Sequence, residues 1–150
     1  MNMLSRFLVL VTAVTTLLAP ASALLAQSIA PPRDPAKIQR KVQRSASLQR
    51  QALEALSEPA KAARIVANAY AELKSAHDDI VMNASNLKYP DPTLSISGRK
   101  VEQAMGLVQL AGDSLNTRER WSDPDAAVAE VRNRLEQSLR ITNSVAAAGF

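Results

Sequence analysis

The chain has 150 residues, no Cys, one His, 47% hydrophobic side chains, only 3% aromatics and a formal charge of +4. Without Cys there is no disulfide scaffold, no thiolate-bound metal or cluster and no thiol nucleophile. One imidazole excludes a multi-histidine metal site. Charged residues make up 21% of a nearly half-apolar chain, so wholesale disorder is excluded, and four Gly are too few for turn-rich β architecture or glycine-rich phosphate loops.

The first segment reads as a targeting signal rather than as part of the fold. A short start containing Arg6 precedes the apolar run 7–19, which has the length of a signal-peptide core. Pro20 ends the run, and Ala21-Ser22-Ala23 is a small-x-small cleavage pattern, with a second possible cut after Ala26. The competing reading is a retained anchor, because residues 7–26 are just long enough to span a bilayer. Lipoprotein processing is excluded, since no Cys is available to acylate. Cleavage after Ala23 removes Arg6 and no acid, leaving 17 basic against 14 acidic side chains. That mild excess is no nucleic-acid signature. An exported chain that makes no use of disulfides suits a bacterial periplasm, with secretion as the alternative. The expected organisation is a signal peptide at 1–23, an extended leader at 24–33 and a helical domain at 34–150.

Beyond the leader, four acid-proline pairs punctuate the chain: Asp34-Pro35, Glu58-Pro59, Asp91-Pro92 and Asp123-Pro124. A carboxylate accepts from the free amides of a first helical turn and favours the positive pole of the helix, while Pro fits that turn. Ser57 is an equally good cap for the second start. The pattern predicts helices at about 35–56, 59–86, 92–115 and 124–147. The first has the loosest apolar stripe, with Ile38, Val42, Leu53 and Leu56 interrupted by Gln49. The second has the clearest: Ala63, Val66, Tyr70, Leu73, His77, Ile80, Ala84 and Leu87 alternate by three and four, widened by Ile65, Ala69, Ala76 and Met82. In the third, Leu94, Val101, Val108 and Leu115 lie seven apart, with Ala104, Met105, Ala111 and Gly112 between them. The fourth offers Val128, Val131, Leu135 and Leu139, then weakens to Thr142 and Val145. No segment alternates with period two, so no strand is expected. Short connections favour antiparallel neighbours, which predicts an all-α, up-down-up-down four-helix bundle. The rival is a helical hairpin that completes its core by dimerising.

Several residues are candidates for function. Lys37, Arg40 and Arg44 share one side of the first helix, with Lys41 at its boundary and Arg33 just before it; only Asp34 offsets them locally. This cluster suits an anionic surface or an acidic partner, against the alternative of a solvated face. Trp121, flanked by Arg118, Arg120 and Asp123, is either an interface anchor or a lid over the bundle end, and Tyr89 seals its own connection. His77 on the second seam is a weak metal or haem candidate, with Met105 as a possible partner. The Glu-x-x-His pattern of di-iron bundles is missing, because Lys74 stands three residues before His77. Asp78 and Asp79 diverge by about 100° on a helix and cannot flank one bond. Pro90-Asp91-Pro92 is a stiff turn, and the sequon Asn83-Ala84-Ser85 falls inside a helix. Gly149 stops the last helix and Phe150 ends the chain in a fraying turn. No nucleophile elbow, P-loop, dinucleotide fingerprint or zincin motif is present.

The resulting expectation is a non-catalytic exported interaction, adaptor or chaperone-like module. It would act through Lys37, Arg40, Lys41 and Arg44, with Trp121 as anchor, on another protein or an anionic envelope surface, and without nucleic acid. The alternatives are a small-ligand or haem carrier using His77, and a structural envelope subunit that forms a homo-oligomer.

Overall fold

The structure, a computed structural model, describes residues 34–88 and 91–150. The signal-peptide and leader segments, including Arg33, and also Tyr89 lie outside the described residues. Four helices follow in order: α1 (Pro35–Glu54), α2 (Pro59–Ser85), α3 (Pro92–Asn116) and α4 (Pro124–Ala148), with a single 3₁₀ turn, Arg118–Arg120, between the last two. No strand occurs among the described residues.

Each helix starts with Pro in its first turn. Asp34 accepts from the Lys37 amide at 3.0 Å, Asp91 from Thr93 at 2.9 Å and Leu94 at 3.3 Å, and Asp123 from Ala126 at 3.0 Å. Glu58 holds the fourth cap position but makes no side-chain capping bond, its carboxylate instead pairing with Lys61 Nζ at 3.0 Å. The extra methylene carries the Glu oxygens past the first-turn amides, which is why Glu is a poorer N-cap than Asp.

Cross-helix contacts define the topology. Ser45 Oγ of α1 donates to the Ala69 carbonyl of α2, and Lys41 reaches Ser75 and Asp79, so rising numbers on α1 meet falling numbers on α2. Gly98 of α3 faces Ile80 and Gly112 faces Val66, again running opposite. Ser138 Oγ of α4 donates to the Ala104 carbonyl of α3, and Arg134 to that of Leu110. Gln39 of α1 donates to the Ala146 carbonyl of α4, and Gln49 to Thr142. Every neighbour is antiparallel and α4 closes back on α1, so the ring is an up-down-up-down four-helix bundle. One chain completes the core, and the hairpin alternative is not required.

The core departs from the expected stripe in an instructive way. The fully buried α2 residues are Ala62, Val66, Ala69, Leu73, Ala76 and Ile80, whereas Ala63, Tyr70 and His77 sit half-buried beside them. The true seam includes three fully buried alanines, Ala62, Ala69 and Ala76. Methyl groups there let the α2 backbone come near its neighbours, while the larger Tyr70 and His77 find room only at the edge. On α3, Leu94, Val101, Val108 and Leu115 are buried as the spacing predicts, joined by Ser97 and Gly98. A Cβ on Gly98 would lie 3.3 Å from Ile80, and one on Gly112 3.3 Å from Val66, so both glycines serve the α2–α3 approach.

The first helix is better buried than its sequence predicts. Ile38, Val42, Ser45, Ala46, Gln49 and Ala52 are all buried, and Gln49 belongs to the seam instead of interrupting it. Its Nε2 donates to Ser45 Oγ and Thr142 Oγ1, both at 3.2 Å. Ser45 Oγ donates to Ala69 O at 2.9 Å, Thr142 Oγ1 to Ser138 O at 2.8 Å, and Ser138 Oγ to Ala104 O at 3.1 Å. This polar layer joins all four helices. It satisfies every hydroxyl donor and leaves one orphan, Gln49 Oε1.

Candidate functional site

The four cations predicted as a contact surface are brought together along α1, but not as equals. Arg40 and Arg44 are 72% and 74% exposed and Lys37 is 57% exposed, whereas Lys41 is only 19% exposed. Lys41 reaches across to α2, where its ammonium pairs with Asp79 and donates to Ser75 Oγ at 2.7 Å. It is a clamp between helices, with its charge already matched. Lys37 lies 3.9 Å from the same Asp79 carboxylate, and Arg44 Nε 3.3 Å from Glu72. Arg40 has only a long 3.5 Å contact with Asp34.

The sequence-local balance, in which Asp34 alone offsets the cluster, therefore omits two acids. Glu72 and Asp79 are 28 and 38 residues from their partners and come alongside only because α2 packs antiparallel to α1. The surface that remains is a strip of three exposed cations bordered by acids, less positive than the composition of α1 implies.

An apolar neighbour extends that strip. Met82 lies three residues beyond Asp79 on α2, on the side that carries Glu72 and Ser75, and its side chain is exposed. Sequence periodicity assigns Met82 to the widened seam; the buried positions 76 and 80 turn it outward. Val81 and Ile96, at the end of α2 and the start of α3, are exposed as well. All three lie at the end of the bundle where α1 begins, because Pro35, Asn83 and Leu94 line one small cavity there with Phe150.

Trp121 is at the other end. Its ring packs partly buried against the core, and its Nε1 donates to the Ser114 carbonyl at 3.1 Å. With Thr117 and Arg134, it supplies donors to carbonyls in the last two turns of α3. Fourteen residues of helix separate Arg40 from the end of α1, about 20 Å at 1.5 Å per residue. Trp121 and the cations therefore do not form one patch.

His77 stands at the edge of the α2 seam, 26% exposed, with Nδ1 3.9 Å from Asp78 Oδ1. Among the described residues, no three His, Asp or Glu side chains gather to hold a metal ion. Asp78 is instead drawn to Lys74 at 2.9 Å. That hydrogen bond holds the Asp78 carboxyl below its usual range and raises the Lys74 ammonium. Among the described residues no helix is long and apolar enough to cross a membrane.

No protein-family model matches the chain, and neither a curated protein nor a solved structure matches it.

Proposed function

We propose that this chain is an exported, non-catalytic helical interaction module, an adaptor or chaperone-like protein that meets an anionic partner through the outer face of α1. The observation that carries the reading is the exposure of Lys37, Arg40 and Arg44 on one helix face, held in place by the inward-turned Lys41. Exposed cations on a rigid helix steer an acidic surface into contact at little conformational cost, and the adjoining Met82 supplies apolar area for it to cover. Export and residence in the periplasm rest on the apolar run and the Ala21-Ser22-Ala23 pattern. The absence of catalytic motifs supports a binding role without bond chemistry.

The test is a titration of the purified protein against vesicles containing phosphatidylglycerol and against polyglutamate, at rising salt. We expect binding to at least one that weakens steadily with ionic strength and is lost when Lys37, Arg40 and Arg44 are all changed to Ala. Binding that ignores salt, or that survives the triple substitution, overturns the reading.

A further inference from the structure

The α2–α3 seam is open near the start of α2 and the end of α3, where a groove of about 170 Å³ lies between the helices. Its floor is apolar, formed by Ala63, Val66 and Val108, with Gly112 beside them and Ala67 at the rim. Tyr70, half-buried and packed against the core, forms part of the wall. Asp113 stands at the rim, in the last turn of α3.

Asp113 is poorly matched where it stands. The C-terminal end of a helix is its negative pole, so a carboxylate there is disfavoured unless a cation compensates. Among the described residues no cation comes within ion-pair distance of the Asp113 carboxylate. Arg134 of α4, which donates to this turn, spends its guanidinium on Leu110 O, Ser114 Oγ and Glu130. The groove thus offers an apolar slot, an aromatic wall and an unanswered negative charge in one place.

We propose that this groove receives an arginine side chain of a partner polypeptide. Its size decides between ligand classes: ordinary small-molecule pockets run from about 300 to 1,000 Å³, whereas this one is on the scale of a single side chain. An arginine matches all three features. Its methylene stem lies along Ala63 and Gly112, its planar guanidinium stacks on Tyr70, and its charge meets Asp113. A lysine can satisfy only the stem and the charge. The contact is opposite in sign to the α1 strip, so it addresses a basic surface and stands whether or not the α1 reading holds.

The probe is a blocked Gly-Arg-Gly tripeptide titrated into isotopically labelled protein, with its citrulline and lysine analogues as controls. We expect amide shifts confined to Ala67, Gly112, Asp113 and their neighbours, and binding at least about tenfold weaker for the citrulline peptide and for Asp113→Asn. Ala67→Leu, an exposed rim substitution that fills the slot, should abolish the shifts while helicity is unchanged. Equal binding of the citrulline peptide, shifts scattered over the surface, no shifts at millimolar peptide, or an unaffected Asp113→Asn variant would each overturn the proposal. Equal binding of the lysine peptide would overturn the assignment to arginine.

Discussion

Gln49 of α1 donates to Thr142 of α4 at 3.2 Å in the middle of the bundle, while its own carbonyl oxygen meets no donor. An unsatisfied buried acceptor costs about 1–3 kcal/mol. Gln49→Met keeps the length of the side chain and removes the orphan, and Ser45 and Thr142 keep their backbone acceptors. We expect the variant to be more stable by about 1 kcal/mol, with a raised urea midpoint and an unchanged slope. Thr142→Val should do the reverse, since it leaves one of the two Gln49 Nε2 hydrogens without an acceptor while the other stays on Ser45 Oγ. A Gln49→Met protein less stable than the wild type would show that the two Nε2 hydrogen bonds outweigh the orphan oxygen.

The glycines of α3 separate packing from propensity. Gly106 has nothing within 4 Å of an added Cβ, so Gly106→Ala should gain about 0.5–1 kcal/mol from backbone entropy alone. For a domain of this size that is a rise of roughly 2–5 °C in Tm. At Gly98 the same methyl would press on Ile80 at 3.3 Å, and part or all of the gain should vanish. Thermal melts of the two variants side by side check the difference.

Lys41 and Arg40 are adjacent in sequence and should behave oppositely. Lys41→Met removes the clamp on Asp79 and Ser75 and leaves a half-buried carboxylate with only the distant Lys37, so we expect a loss of about 1–2 kcal/mol in stability. Arg40→Ala should stay within about 0.5 kcal/mol of wild type and act only on binding of the anionic probes. Chemical denaturation and vesicle titration on both variants separate the roles.

The Lys74–Asp78 pair has a definite pH signature. The folded Asp78 carboxyl lies below its ordinary 3.8, so its contribution is present above that value and disappears as pH falls through the folded pKa. The folded Lys74 ammonium lies above its ordinary 10.5, so its contribution holds below that value and is lost as pH rises through the folded one. Both groups are solvent-exposed, so the effect is small and screened by salt. The Tm difference between wild type and Asp78→Asn should be visible near neutrality and close as pH drops below 3.8.

What was legible in the sequence was whatever is local. The acid-proline starts place all four helices within two residues, because a cap and the turn it caps are neighbours in the chain. The heptad on α3 reads directly, since Leu94 to Leu115 are large and buried together. On α2 the sequence stripe finds Val66, Leu73 and Ile80 but centres on Ala63, Tyr70 and His77, because apolar size points to them whereas close packing selects Ala62, Ala69 and Ala76. Gln49 reads as an interruption, since its partner Thr142 is 93 residues away. The acids facing the α1 cations were hidden for the same reason, and so was the slot beneath Tyr70, which Gly112 lines from another helix.

The ring closure has a kinetic consequence. Three of its seams join helices consecutive in the chain, with bridging contacts such as Ser45–Ala69 only 24 residues apart and Arg134–Leu110 likewise 24. The fourth joins residues separated by 93 to 107 positions. Loop-closure entropy makes that seam the most expensive to nucleate, though the penalty grows only logarithmically with length. We expect α2, α3 and α4 to be largely assembled in the folding transition state and the α1–α4 contacts to form on the downhill side. Gln39→Ala, and Asn143→Ala on α4, whose Oδ1 accepts from Arg50 of α1 at 3.1 Å, should then speed unfolding and leave the refolding rate nearly untouched, whereas Val108→Ala should slow refolding. A chain built this way reaches its native state quickly through neighbouring hairpins, and its resistance to reopening is set by the last joint it makes.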